Sequence, residues 1–435
     1  MSPQNWKRIK LGMLGEFRNG VNFSKNEKGK GLGLINVKDL FNDSPYIDFE
    51  NLDKVDLADR RGIENYFVKE GDLFFSRSSV KRDGVGVVCM ATRSSDRIVH
   101  CGFVIRFRMN SPEVHPLFLT YLLRSDYYRK TIIGISGGSA IFNVSQDILS
   151  ELEIILPPLS IQEKIISVLS NYDDLIVNNT RRIKILEEIA QLIYQEWFVN
   201  FRFPGYEKVR FVNSELGKIP EGWEVVQLGE VLESIESGSR PKGGIDSSER
   251  EVPSIGAENV LGLGRYDFNK EKYVSREFYE NMRKGKIQSG DVLLYKDGAK
   301  IGRKSMFRDG FPHEICCINE HVFILRTNSR CGQNYLYFYL DRPDITQKII
   351  NLNTNAAQPG INQAGVKSLP ILLPQKELIE LFDRKVEPLL ELLFNLANKN
   401  QTLRKKRDLL LPKLISGEID LSELDIRTGD SNEEK

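Results

Sequence analysis

Two stretches of the chain repeat apolar residues at steps of three and four for most of their length. In the first, residues 157–198, Leu169, Ile176, Ile183, Ala190 and Trp197 recur every seven positions, with Ile165, Tyr172, Asn179, Leu186 and Ile193 between them. A heptad seam held over about five repeats predicts a coiled-coil helix, and no Gly or Pro interrupts it. Pro157 and Pro158 close an apolar run, Leu152, Ile154, Ile155 and Leu156, that reads as a strand. Ser160 is the expected N-cap, with Glu163 at the capping-box position. The second seam follows Leu373-Pro374: Ile379, Val386, Leu393, Asn400, Arg407 and Leu414 alternate with Phe382, Leu389, Leu396, Leu403 and Leu410, and Pro412 and Gly417 are expected to end it. Helices of roughly 40 residues are about 60 Å long. Neither stays dry alone, so the two are expected to pack on each other. Each seam carries one Asn near its middle, Asn179 and Asn400. A single buried Asn can fix coiled-coil register at a cost in stability, so these two are expected to face one another; the alternative is that each faces solvent.

The stretches between the helices repeat too, with a period of about half the chain. Trp6, Leu11 and Gly12 match Trp223, Leu228 and Gly229, and Gly20 matches Gly238. Leu34-Ile35-Asn36-Val37 matches Ser254-Ile255-Gly256-Ala257, and Gly71-Asp72-Leu73-Phe74-Phe75-Ser76-Arg77 matches Gly290-Asp291-Val292-Leu293-Leu294-Tyr295-Lys296. A strand over 103–108 corresponds to 322–327. An amphipathic helix with Leu117, Phe118, Tyr121 and Leu122 corresponds to one with Tyr335, Leu336, Tyr339 and Leu340. Each copy reads as short β-branched and aromatic strands between Gly, Asn and Asp turns, plus one or two helices, an α/β or α+β domain. Residues 200–222, with Phe203-Pro204-Gly205, have linker chemistry, and the polar residues 427–435 are expected to be disordered.

Composition narrows the class. The 435 residues are too many for one ordinary core. Lys plus Arg number 61 against 60 Asp plus Glu, so any surface basic enough for nucleic acid must be local. The five cysteines, odd in number and unpatterned, suit reduced thiols. The polar first ten residues are not expected to act as a signal peptide, and no apolar run is long enough to span a membrane. A soluble, cytoplasmic protein is expected.

The order of a strand, Leu156-Pro157-Pro158-Leu159, Gln162-Glu163, a long helix, Gln195-Glu196-Trp197-Phe198-Val199-Asn200-Phe201 and Ile219-Pro220-Glu221-Gly222-Trp223 resembles the DNA specificity subunit of type I restriction-modification enzymes. The likeness runs over essentially the whole chain, and the doubled architecture is its most specific part. It implies two similar α/β (α+β) target-recognition domains separated by two long antiparallel coiled-coil helices, an internal pseudo-twofold repeat. Carried onto this chain, the parts are domain 1 at 1–156, a central helix at 157–200, a linker at 201–219, domain 2 at 220–373, a distal helix at 374–417 and a tail at 418–435. Each domain would read one half of a split site in double-stranded DNA. The helices would act as a ruler and dock two methyltransferase (modification) subunits, with restriction/translocase subunits joining through the complex. S-adenosylmethionine, ATP and magnesium would bind those partners, and this chain would bind no cofactor. The second copy departs in having Gln375-Lys376-Glu377 in place of Ile161-Gln162-Glu163 and no Trp-Phe pair at its helix end. Because the two copies differ widely in sequence, the two half-sites should differ as well.

Candidate DNA contacts lie in loops. Ser76, Arg77, Ser78, Lys81 and Arg82 form the best basic cluster of the first copy, and Lys296, Lys300 and Arg303 are its counterparts. Arg donates bidentately to guanine, while Ser, Lys and backbone amides suit phosphates; a solvated hairpin tip is the other reading. Gly138, Ser139 and Asn143, and Gln358 and Asn362, lie in loops before the long helices, where an amide can pair with adenine or simply cap a turn. Arg240 and Lys242 sit in a further basic loop. Arg404-Lys405-Lys406-Arg407 reads as a solvated or protein-docking stripe rather than a DNA patch. His313, Cys316, Cys317 and His321 are closely spaced, but a buried strand over 315–325 is favoured over a zinc site there, and no metal site is assigned. No phosphate loop, dinucleotide turn or amino-methyltransferase motif is present, so catalysis is expected to belong to partners. The rival readings are a self-contained restriction or modification enzyme and a coiled-coil protein-binding adaptor without DNA specificity.

Overall fold

A computed structural model describes residues 6–57, 59–138, 141–241, 250–353 and 359–425. They form two compact units, one of residues 1–177 with 403–435, the other of residues 178–402. The tail from 426 onward lies outside the described residues.

In the first unit, a four-stranded antiparallel sheet has the order Gly15–Asn19, Val104–Met109, Leu73–Ser76, Val88–Met90. Leu73–Ser76 is buried throughout because both its faces are covered. Leu73 and Phe75 enter one core with Phe107 and Phe118, while Phe74 enters a second with Leu34 and Val99. That second core lies under a three-stranded sheet, Asp53–Val55, Lys28–Ile35, Ile98–His100, whose last pair is parallel. Lys7–Lys10 pairs antiparallel with Glu153–Leu156, the strand that leads into the first long helix.

The second unit repeats this plan strand for strand. Its four-stranded sheet runs Leu232–Ser237, Val322–Thr327, Asp291–Tyr295, Lys304–Phe307, and its three-stranded sheet Lys272–Val274, Val252–Ile255, Cys317–Ile318. Glu224–Gln227 pairs with Pro370–Leu373 before the second long helix. Val292 and Leu294 face one core and Leu293 the other. Even the buried ion pair is copied. Arg108 grips Asp72 through Nε and Nη2 at 2.7 and 2.6 Å, and Arg326 grips Asp291 at the same two distances. The strands expected at 103–108 and 315–325 shift in detail: Phe103 lies outside its strand, and Cys317–Ile318 and Val322–Thr327 are two strands joined by a turn.

The helices run Leu159–Tyr194, extended by a π-helical turn Gln195–Val199, and Lys376–Ile415. In the first unit, Ile165 and Leu169 share a core with Leu414 and Ile415. In the second, Ile183, Leu186 and Ala190 share one with Val386, Leu390 and Leu393. The start of one helix thus meets the end of the other within each unit, an antiparallel pairing. Asn179 Nδ2 donates to Asn400 Oδ1 at 2.9 Å, with both residues buried, and Asn400 Nδ2 reaches Thr180 Oγ1 at 3.2 Å.

Four local expectations are corrected. Leu159 already belongs to the helix, so Ser160 is not its cap. The buried Gln162 instead ties the helix start to the domain, donating to Pro157 O and Glu113 O and accepting from the His115 amide. Past Ala190 the buried positions become Tyr194 and Phe198 rather than Ile193 and Trp197, because a 3.6-residue helix drifts off a strict heptad. Pro412 does not end the second helix, which also contains Pro388; the chain leaves it at Gly417, where φ is +73°. Residues read as linker carry a hairpin, Phe211–Ser214 with Gly217–Pro220, and bury Phe203 and Ile219 against Trp223. Among the described residues no helix is long and apolar enough to cross a membrane.

Candidate nucleic-acid interface

The candidate loops start where the central strand of each four-stranded sheet runs out. In the first unit, Ser76 closes the loop from inside, donating to Gly84 O at 2.6 Å and accepting from the Val87 amide. It is fully buried. Ser76 is therefore withdrawn as a DNA contact: it shapes the loop that other residues use.

Beyond it the chain turns outward. The Arg77 amide donates to Phe103 O at 2.8 Å, and the Val144 amide donates to Arg77 O at 2.9 Å. Ser78–Ser79 pairs with Phe142–Asn143, and Ser78 Oγ donates to Asn143 Oδ1 at 2.6 Å. Two loops about 60 residues apart in sequence thus form one surface. Arg77 is exposed, its Nη1 resting on Gly102 O at 3.3 Å. Lys81 and Arg82 are also exposed, the latter over the Phe142 ring at 5.9 Å. Gly138 has φ +110°, and a Cβ there would lie 1.9 Å from Ile141 O, so it serves the turn. Ser139 lies outside the described residues.

The second unit builds the same junction with other side chains. The Lys296 amide donates to His321 O at 3.0 Å and the Ile361 amide to Lys296 O at 2.9 Å. Gly298 donates to Pro359 O, again joining the two loops. Lys296 Nζ lies 4.9 Å from the centre of the Phe323 ring and 3.9 Å from Asp297. Lys300 is exposed and Arg303 half-buried. Asn362 Oδ1 accepts from the Gly365 amide at 2.8 Å, capping the short helix Gln363–Lys367. Arg240 pairs with Glu320 at 3.0 Å. Lys242 and Gln358 lie outside the described residues.

Arg77 and Lys296 thus occupy one position of a repeated frame, and Phe103 and His321 another. Nothing in the sequence marks this second pair for DNA: a lone Phe does not signal the tip of a turn, and His321 stands out there only for its closeness to Cys316 and Cys317. The closely spaced His and Cys residues find other partners: His313 Nε2 lies 2.5 Å from Glu271, and His321 Nδ1 3.1 Å from Asp297. Cys316 and Cys317 are buried, and burial pushes the Cys317 thiol up to about 11. No group of metal ligands occurs among the described residues. Half of the basic run on the second helix is also engaged, Arg407 on the buried Asp173 at 2.5 Å and Arg404 on Asp43 at 3.1 Å.

Comparisons with known proteins agree with the doubled plan. A family model described as the type I restriction modification DNA specificity domain matches residues 3–189 and 220–400. The type I restriction enzyme MjaIX specificity subunit of Methanocaldococcus jannaschii is 27% identical over 97% of this chain and 95% of its own. The HindI specificity subunit of Haemophilus influenzae is 24% identical over 89% of this chain and 94% of its own. Among solved structures, the S subunit of a type I restriction-modification system from M. genitalium superposes with a TM-score of 0.52, covering 94% of this chain and 96% of that one at 16% identity.

Proposed function

The chain belongs to the type I restriction-modification DNA specificity family, and from that premise we propose that it is the sequence reader of its complex. Each unit reads one half of a bipartite, asymmetric site in double-stranded DNA through its paired loops, and the long helices dock methyltransferase subunits. Restriction and translocase subunits join through that assembly. The chain performs no chemistry of its own, and S-adenosylmethionine, ATP and magnesium serve its partners.

The observation that carries this reading is the junction present in both units: a cation at the end of a buried strand, held by the same two backbone hydrogen bonds, with Arg77 in one copy and Lys296 in the other. A common scaffold with different side chains at its tips suits two readers of unlike half-sites. Arg can take two acceptors of guanine, whereas Lys is a point charge. Lys81, Arg82 and Lys300 are the exposed cations beside them, placed for phosphates.

Binding of the assembled complex to duplexes of matched and mismatched sequence, measured at several salt concentrations, tests this reading. Specific binding should weaken steeply with salt, because phosphate contacts release counterions. Arg77→Ala should lose about 1–3 kcal/mol of discrimination at one base pair of one half-site and leave the other half-site unchanged. A uniform loss across all sequences would make Arg77 a phosphate contact. Binding that ignores both sequence and salt would favour a protein-binding adaptor.

A further inference from the structure

Phe103 is 65% exposed, yet the backbone on either side of it is hydrogen-bonded. The Gly102 amide donates to Val21 O and the Val104 amide to Cys101 O, each at 2.8 Å, and Phe103 O accepts from Arg77. Val104, the next residue and the first of the strand, is wholly buried in the sheet, while Phe103, in the turn before it, stays at the surface. Phe103 is thus an exposed apolar tip on a hydrogen-bonded turn, next to Gly102, whose carbonyl accepts from Arg77 Nη1 at 3.3 Å.

The corresponding turn of the second unit is built alike. The Val322 amide donates to Asn319 O, and His321 O accepts from Lys296. Its tip is polar: His321 Nδ1 lies 3.1 Å from Asp297, Nε2 lies 3.3 Å from Glu320, and Glu320 is held by Arg240. One backbone device therefore presents a hydrocarbon surface in one copy and a hydrogen-bonding group in the other.

We propose that Phe103 and His321 are specificity-determining residues: Phe103 reads the 5-methyl group of a thymine, and His321, exchanging its contact with Glu320 or Asp297 for one with DNA, reads a hydrogen-bonding base edge in the other half-site. The inference rests on the reading of the chain as a DNA-specificity subunit. In the major groove the thymine methyl is the one apolar group a base pair offers, and aromatic and aliphatic side chains are its partners. An Arg beside that contact suits an adjacent guanine, which makes a thymine–guanine neighbourhood the expected target of the first unit.

The test is a chemical and genetic cycle on the full chain assembled with its methyltransferase subunits. The probe is duplex DNA carrying the site found by methylated-base sequencing. Each thymine in turn is replaced by deoxyuridine, which removes only the methyl group. For the unaltered chain, one position should weaken binding by about fourfold, the value of one buried methyl. Phe103→Ala should weaken binding to thymine DNA by at least as much and abolish the uracil effect at that position. Phe103→Leu should keep part of it, and His321→Ala should leave it intact while losing discrimination in the other half-site. Discrimination at that other half-site serves as the control that Phe103→Ala is folded.

A uracil effect that persists undiminished in Phe103→Ala overturns the inference and leaves the DNA-reading function standing. So does the absence of any responsive thymine. Failure of the unaltered complex to distinguish its site from scrambled DNA overturns the functional reading itself, and the inference falls with it.

Discussion

Asn179 and Asn400 illustrate how a buried polar residue is kept in an apolar seam. Each amide has a partner, and replacing Asn179 by an apolar residue takes from Asn400 Oδ1 the donor it has at 2.9 Å, in a buried place. Asn179→Leu should therefore destabilise the chain by about 1–3 kcal/mol in urea unfolding, although it adds hydrocarbon. Replacing both by Leu should recover most of that loss, and no recovery would show that the pair is not the source of the cost. Asp383, on the same helix, titrates abnormally. Burial, with Glu387 and Glu380 nearby, pushes its carboxyl up to about 6 from an ordinary 3.8. The folded chain then holds that proton more tightly than the unfolded one. Its contribution is most favourable below the ordinary value, declines as pH rises toward 6, and is a full penalty above. Asp383→Asn should raise stability at pH 7.5 by roughly 1–3 kcal/mol and flatten the profile between about pH 4 and 6; equal stability of the two proteins at pH 7.5 would contradict this. At this scale the sequence is a partial guide. Apolar periodicity marks Asn179 and Asn400 as seam positions, but it cannot reveal that Ser76 points inward, since a Ser after an apolar strand is compatible with either side of the sheet.

Among the elements, the long helices are the most legible, because a heptad pattern states its own geometry. Where they depart from it, local packing takes over. Tyr194 and Phe198 displace the expected Ile193 and Trp197 by joining an aromatic cluster with Tyr335 and Phe382. The pairing of Ser78–Ser79 with Phe142–Asn143 is illegible for a different reason: two-residue strands carry no period, and their partners are far apart in sequence. The turn at Gly20 and Gly238 is better defined. A Cβ would stand 2.1 Å from Cys101 O in one copy and 1.8 Å from Ile318 O in the other, both backbone atoms that cannot step aside. Gly20→Ala and Gly238→Ala should each cost about 1–3 kcal/mol, the price of an overpacked site, as measured by denaturant unfolding. A neutral result for either would mean that the turn relaxes freely. Arg407 tests the helix pair within the first unit. It is the cation that faces the buried Asp173, which also accepts from Tyr121. Arg407→Ala should cost about 3–5 kcal/mol by leaving that buried carboxylate without its cation, and Asp173→Asn in the same background should restore part of the loss.

For the molecule as a whole, the repeat is what the sequence discloses most clearly. Matching Gly-Asp, Trp and Gly positions at a half-chain period predicts the duplicated sheets, and the two Asp–Arg pairs show that the duplication reaches into the buried interior. What remains hidden is the surface that distinguishes the copies. Tips such as Phe103 and His321 are set by turns whose geometry no apolar pattern encodes. That is also where the function would reside, since the common frame has no reason to favour any base. The most direct measurement is sequencing of methylated bases in the host genome with and without the gene, followed by exchange of one recognition domain for that of a related subunit. The account predicts that methylation at one two-part asymmetric motif disappears on deletion, and that the exchange alters one half of the motif while keeping the other. Unchanged methylation on deletion, or an exchange that alters both halves together, would contradict it.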